Sequence, residues 1–132
     1  MSLENEIHRV ITGHDENGRS IVVKDGGLSK VTQSQGLKDT IFYEIWNTEN
    51  NPVIDNSEDP TIEKYSLNPP KGGNCIRIVD IAPDATNFTN NEEENMKKVA
   101  KCFLEIGGPA NYTAKKNSPH PLMHRTKTID YG

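Results

Sequence analysis

Residues 123–132 read MHRTKTIDYG, and the period of this stretch decides how the whole chain is read. Successive side chains of a β-strand point to opposite faces. As a strand, the stretch puts His124, Thr126, Thr128 and Asp130 on one face, and Arg125, Lys127, Ile129 and Tyr131 on the other. An imidazole, two hydroxyls and a carboxylate make an odd interior face, because buried polar groups cost free energy unless they are partnered. Such a face either turns to solvent on an edge strand or holds a ligand. Imidazole nitrogen and carboxylate oxygen are also ligand types for zinc, iron and manganese.

Upstream of it, the run from Pro109 to Met123 is irregular. Before that, NNEEENMKKVAKCFLEIGG carries the one helical pattern, over residues 92–106. Met96, Val99, Ala100, Phe103 and Leu104 recur at the spacing of a single apolar stripe. Asn90 or Asn91 is placed to cap the helix, Glu92 to Glu94 sit at the positive end of its dipole, and Gly107 stops it. CIRIVDIAP, from Cys75 to Pro83, reads as a strand that Pro83 ends. Residues 49–73 hold four prolines and a glycine pair, which forbids a long regular element and predicts a loop. TIFYEIWNT, from Thr40 to Thr48, is a strand with Ile41, Tyr43 and Ile45 on an apolar face and Phe42, Glu44 and Trp46 on a mixed one. At the start, HRVIT and SIVVK flank GHDENG, a β-hairpin with its turn at Asp15 to Gly18. The fold class is therefore mainly β with one amphipathic helix.

The chain of 132 residues fits one domain, 1–132. Its apolar fraction of 33% is lean, so long polar stretches sit outside any core. A formal charge of −4 disfavours nucleic-acid partners, which need clustered Lys and Arg. No apolar run reaches the roughly 18 residues of a membrane span, so no membrane partner is expected. MSLENEIHRV lacks the pattern of a secretory signal, and a cytoplasmic location is the expectation. Cys75 and Cys102 are expected as free buried thiols. His8 begins a strand and has no partner at metal-ligand spacing, His14 reads as a solvated turn residue, and His120, between Pro119 and Pro121, is a weak candidate.

HPLMHRTKTIDYG, residues 120–132, resembles the entry to the barrel of a small single-domain cupin subfamily whose members carry an HRT-x-T-x-DYG run. The likeness extends back through HRVITGHDENGRS, FYEIWNT, PPKGGNCIRIVDIAP and the helix. It implies the N-terminal portion of a jelly-roll barrel, incomplete at its C-terminal end. It also implies metal-dependent small-molecule chemistry, such as decarboxylation, dehydration, isomerisation or oxygenation, where the barrel is whole. In the general cupin pattern His124 matches the first histidine. Thr126 stands in the place of the second, and Asp130 in that of the glutamate. The late histidine of the second motif has no counterpart. His124 and Asp130 are thus an incomplete metal set, since catalytic zinc keeps three protein ligands. No metal is expected for this chain alone, although further sequence or a partner chain would complete the set. The candidate ligand-binding residues are His124, Thr126, Asp130 and Tyr131. The remaining readings are a small-molecule binder, a metal-dependent enzyme, or a degenerate cupin with a structural role. An open sheet edge at the closing strand predicts a homo-oligomer.

Overall fold

Asp15 starts the turn of the N-terminal hairpin. Its carboxylate accepts from the backbone N–H of Asn17 and of Arg19, both at 2.8 Å, and Gly18 takes the positive φ that the turn requires. The turn joins β1 (Arg9–His14) to β2 (Ser20–Gly26), which pair antiparallel as predicted. The register slips once, so that Val23 has no opposite residue. These observations come from a computed structural model, which describes residues 3, 6–52, 58–62, 66–109 and 118–130.

The second sheet has three antiparallel strands in the order β3-β4-β5, with β3 (Val31–Gln33), β4 (Ile41–Thr48) and β5 (Asn74–Asp80). β3 is three residues long, too short for a two-residue period to announce it. In β4 the pairing passes from Glu44↔Arg77 to Trp46↔Ile76, so Ile45 bulges. Bulges kink a strand and release a backbone group from the ladder. The carbonyl of Ile45 accepts instead from Arg9 Nη1 at 2.7 Å, which ties the hairpin to this sheet.

β4 is buried on both faces: Phe42 and Glu44 on the mixed one, and Tyr43 on the apolar one. Phe42 joins Leu37, Val99, Cys102, Phe103 and Ile106 in the core, with Leu67, Phe88 and Leu122 packed against it. Val99, Cys102 and Phe103 belong to α2 (Glu92–Glu105), whose bounds match the sequence reading to within one residue. Asn91 caps it by accepting from Glu94 N at 3.1 Å. Gly107, at φ +73°, ends it. The buried stripe is rotated from the expected one: Asn95, Val99, Cys102 and Phe103 are inside, and Leu104 is exposed. Asn95 can go in because its side chain exchanges hydrogen bonds with the backbone of Thr89, at 2.7 and 3.0 Å. Each fully buried apolar side chain of this kind contributes about 1.5–3 kcal/mol.

The loop 34–40 clamps the helices to the sheet. Glu105 accepts from Ser34 Oγ and Gln35 N, both at 2.9 Å. Asn87, in the short α1 (Asp84–Asn87), bonds the backbone N–H and C=O of Lys38.

Five strands in two antiparallel sheets make the protein mainly β, as expected, but among the described residues the sheets do not close into a barrel. The expected closing strand is corrected. Residues 123–130 form no strand and join neither sheet. The fifth strand is β3 instead, and the open edges of the three-stranded sheet are β3 and β5. The cause is local bonding: threonine and aspartate side chains there bond one another and offer the backbone an alternative to a ladder. Among the described residues no helix is long and apolar enough to cross a membrane.

Candidate functional site

The segment 118–130 is pinned at its start by His120. The ring Nδ1 of His120 accepts from Leu122 N–H at 3.1 Å, so Nε2 carries the proton and donates to Asp84 Oδ2 at 3.1 Å. The ring meets Phe88 edge-on at 5.3 Å. Leu122 packs against the core. His120, a weak candidate on sequence alone, is therefore the anchor that positions the residues after it.

His124 follows on the same path. A carbonyl only accepts, so the 2.8 Å contact from Nδ1 to Leu122 O assigns the proton to Nδ1 and leaves Nε2 as the ring atom able to accept. The ring stands edge-on to Phe103 at 5.5 Å. His124 thus rests on the core at its inner side and remains exposed.

Thr126, Thr128 and Asp130 come together as the alternation suggested, although not on a strand. Thr126 donates to Asp130 Oδ2 at 3.1 Å. Thr128 has one proton, shared between Thr126 Oγ1 at 2.6 Å and Asp130 Oδ1 at 2.9 Å. The result is a small ring of oxygens on an exposed loop, rich in acceptors. His124 turns toward Leu122 and Phe103. Among the described residues, no group of three or more His, Cys, Asp or Glu is placed to hold a metal ion. Tyr131, the fourth predicted ligand residue, lies outside the described residues.

Two buried charge clusters went unread in the sequence. In the first, Asp59 accepts from Arg9 Nη2, Ser29 Oγ and Thr61 Oγ1, the last two at 2.7 Å. Lys24 adds a contact to Ser29 and an ion pair with Asp59 at 3.6 Å. Burial alone would push the Asp59 carboxyl up. The hydrogen bonds from Arg9, Thr61 and Ser29 outweigh it and hold the group well below the usual carboxylate range. The one local signal was Asp-Pro-Thr at 59–61, where Asp59 also accepts from Thr61 N at 3.0 Å. Nothing local pointed to Arg9, fifty residues away.

In the second cluster Glu44, buried on the core face of β4, pairs with Arg77 of β5. Arg77 also donates to Ser66 O at 2.9 Å and Leu67 O at 3.3 Å. The Cys75 thiol lies 3.8 Å from Glu44, and burial pushes it up. Cys75 is half-buried and Cys102 buried, both free. On the opposite face of β4, Tyr43 donates to Glu6 at 2.6 Å, a bond that together with burial raises the phenol. Each charged side chain in these clusters has a protein partner, which marks them as ties between elements, although Arg9 Nε is left without one.

Fold and geometry together define an open, mainly β protein with one long helix, bearing an exposed hydroxyl–carboxylate loop beside a histidine. No protein-family model matches the chain, and no curated protein matches it.

Proposed function

We propose that the chain is a cupin-like module that binds a small hydroxylated molecule at the loop of His124, Thr126, Thr128 and Asp130. The observation that supports it is the gathering of four side-chain oxygens from Thr126, Thr128 and Asp130 on an exposed loop that His120 anchors. Carboxylate and hydroxyl lone pairs accept from ligand O–H groups, and His124 Nε2 offers a further acceptor. Binding without a metal is the better supported form of the reading, because His124 Nδ1 is taken by Leu122 O and the ring packs on Phe103. In the same reading the sheets belong to a barrel that further strands or a partner chain complete, with self-association through an open edge. A metal-dependent enzyme is the reading for that completed assembly alone.

Titration of ¹⁵N-labelled protein with a panel of small polyols and hydroxy acids tests the binding. Shifts should concentrate in residues 120–130 and vanish in Thr128→Ala and Asp130→Asn. If no member of the panel perturbs that loop, the small-molecule reading fails.

The second reading is a structural or interaction role. It is favoured by a different observation: Ile76, Ile78 and Ile81 are 56%, 47% and 59% exposed along one edge of the sheet.

A further inference from the structure

Of the two edges of the three-stranded sheet, β3 is three residues long and offers little to a partner. β5 is seven residues long, and among the described residues no strand pairs with its outer side. Natural edge strands defend themselves with outward charge, proline, bulges or brevity. β5 has few of these. Prolines flank the strand, at Pro69, Pro70 and Pro83, and none lies within it. The strand's one cation, Arg77, turns to the core face, where Glu44 neutralises it. The β4–β5 bulge falls in β4, at Ile45, and leaves β5 regular. What β5 shows to solvent is Asn74, Ile76, Ile78 and Asp80 on one face and Val79, 36% exposed, on the other, so its one outward charge, Asp80, sits at the end of the strand.

The sequence of β5 is also complementary to itself. In an antiparallel pairing of two copies centred on Arg77, Ile76 lies opposite Ile78 of the second copy on the outer face, and Asn74 lies opposite Asp80. On the core face Cys75 lies opposite Val79. Apolar meets apolar, and a carboxamide meets a carboxylate at each end, where an amide N–H can donate to carboxylate oxygen. The two Arg77 side chains that meet at the dyad are each already held by a Glu44. Isologous contacts require this property, since one strand must satisfy its own image.

We propose that β5 is a homotypic docking edge: two copies of the chain pair antiparallel along Asn74–Asp80, centred on Arg77, into a continuous six-stranded sheet. The proposal rests on the reading of the sheet as open, and it is independent of whether the loop at 124–130 binds a ligand. A single added strand is a small interface, so the association belongs at the weak end, on the order of micromolar.

Sedimentation of the intact chain, from low to several hundred micromolar, should show a reversible monomer–dimer equilibrium. The double substitution Ile76→Lys with Ile78→Lys, on exposed positions, should abolish the dimer while far-UV circular dichroism and the melting temperature stay near the parent's. For register, Val79→Cys places a thiol opposite Cys75 of the second copy, with Cβ atoms about 4.5–5.5 Å apart. Mild oxidation should then give a reducible dimer whose cross-linked peptides join positions 75 and 79. The parent should form none, since its two Cys75 residues stand at opposite ends of the ladder. A monomer at every concentration overturns the proposal, as does a dimer indifferent to the lysines or a parent cross-linked through Cys75 to Cys75. A monomer whose β5 amides are all protected from hydrogen exchange would assign the edge to another segment of the same chain. Loss of the dimer with intact polyol shifts, or the reverse, separates this proposal from the binding reading.

Discussion

Asp59 gathers hydrogen bonds from distant parts of the chain. It sits in a loop that the sequence marked only by its prolines, yet it is buried and accepts from Arg9, Ser29 and Thr61. Removing one partner of a buried pair strands the other charge, at a cost of about 3–5 kcal/mol. Asp59→Ala should therefore lower the free energy of unfolding in urea by that amount. The pH dependence follows from the direction of its shift. The folded carboxyl titrates below its ordinary value of 3.8. Its contribution is fully present above that value and is lost as pH falls beneath it, toward the folded value. Acid unfolding curves of the parent should show this loss below pH 3.8, and Asp59→Asn should remove it. A parent and variant with the same acid slope would contradict the assignment. At the same scale, the four polar residues at 124, 126, 128 and 130 were legible as a chemical group. Their alternation was real, but hydroxyl–carboxylate bonds two and four residues apart closed it into a loop.

At the scale of elements, the hairpin, β4, β5 and α2 were readable because each carries its own local signal: a turn aspartate and glycine, β-branched runs, an asparagine cap. β3 and α1 were not, at three and four residues. The buried face of α2 was misjudged by one position of rotation, because burying Asn95 depends on Thr89, outside the helix. The helix meets the loop 34–40 at Gly36. A Cβ there would lie 2.5 Å from both Cys102 N and Lys98 O, backbone atoms that cannot step aside. Gly36→Ala should force the loop off the helix and destabilise by about 1–3 kcal/mol, as overpacking does. Chemical denaturation measures this, and a variant as stable as the parent would show that the loop docks more loosely than the structure indicates.

At the scale of the whole molecule, Arg9 carries several of the ties between the two sheets. It links β1 to the bulged carbonyl of Ile45, to Ser29 and to Asp59, and its guanidinium lies 6.0 Å from the Trp46 ring. Arg9→Met keeps the aliphatic stem and removes the donors. Hydrogen exchange should then rise about tenfold or more across β1 and β2 while α2 keeps its protection, since regions open separately when their ties are few. Equal loss everywhere would mean that the hairpin and the helical core unfold as one unit. The sequence by itself determined the class of fold, the hairpin, the long helix and the polar group near residue 130, because these rest on interactions a few residues in reach. Only the tertiary structure decided that β4 is buried on both faces, that residues 123–130 leave the sheet, that Arg9 meets Asp59, and that among the described residues no strand covers the outer side of β5. Those outcomes depend on partners tens of residues away, and no local period encodes which distant group will satisfy a buried charge or cover a strand.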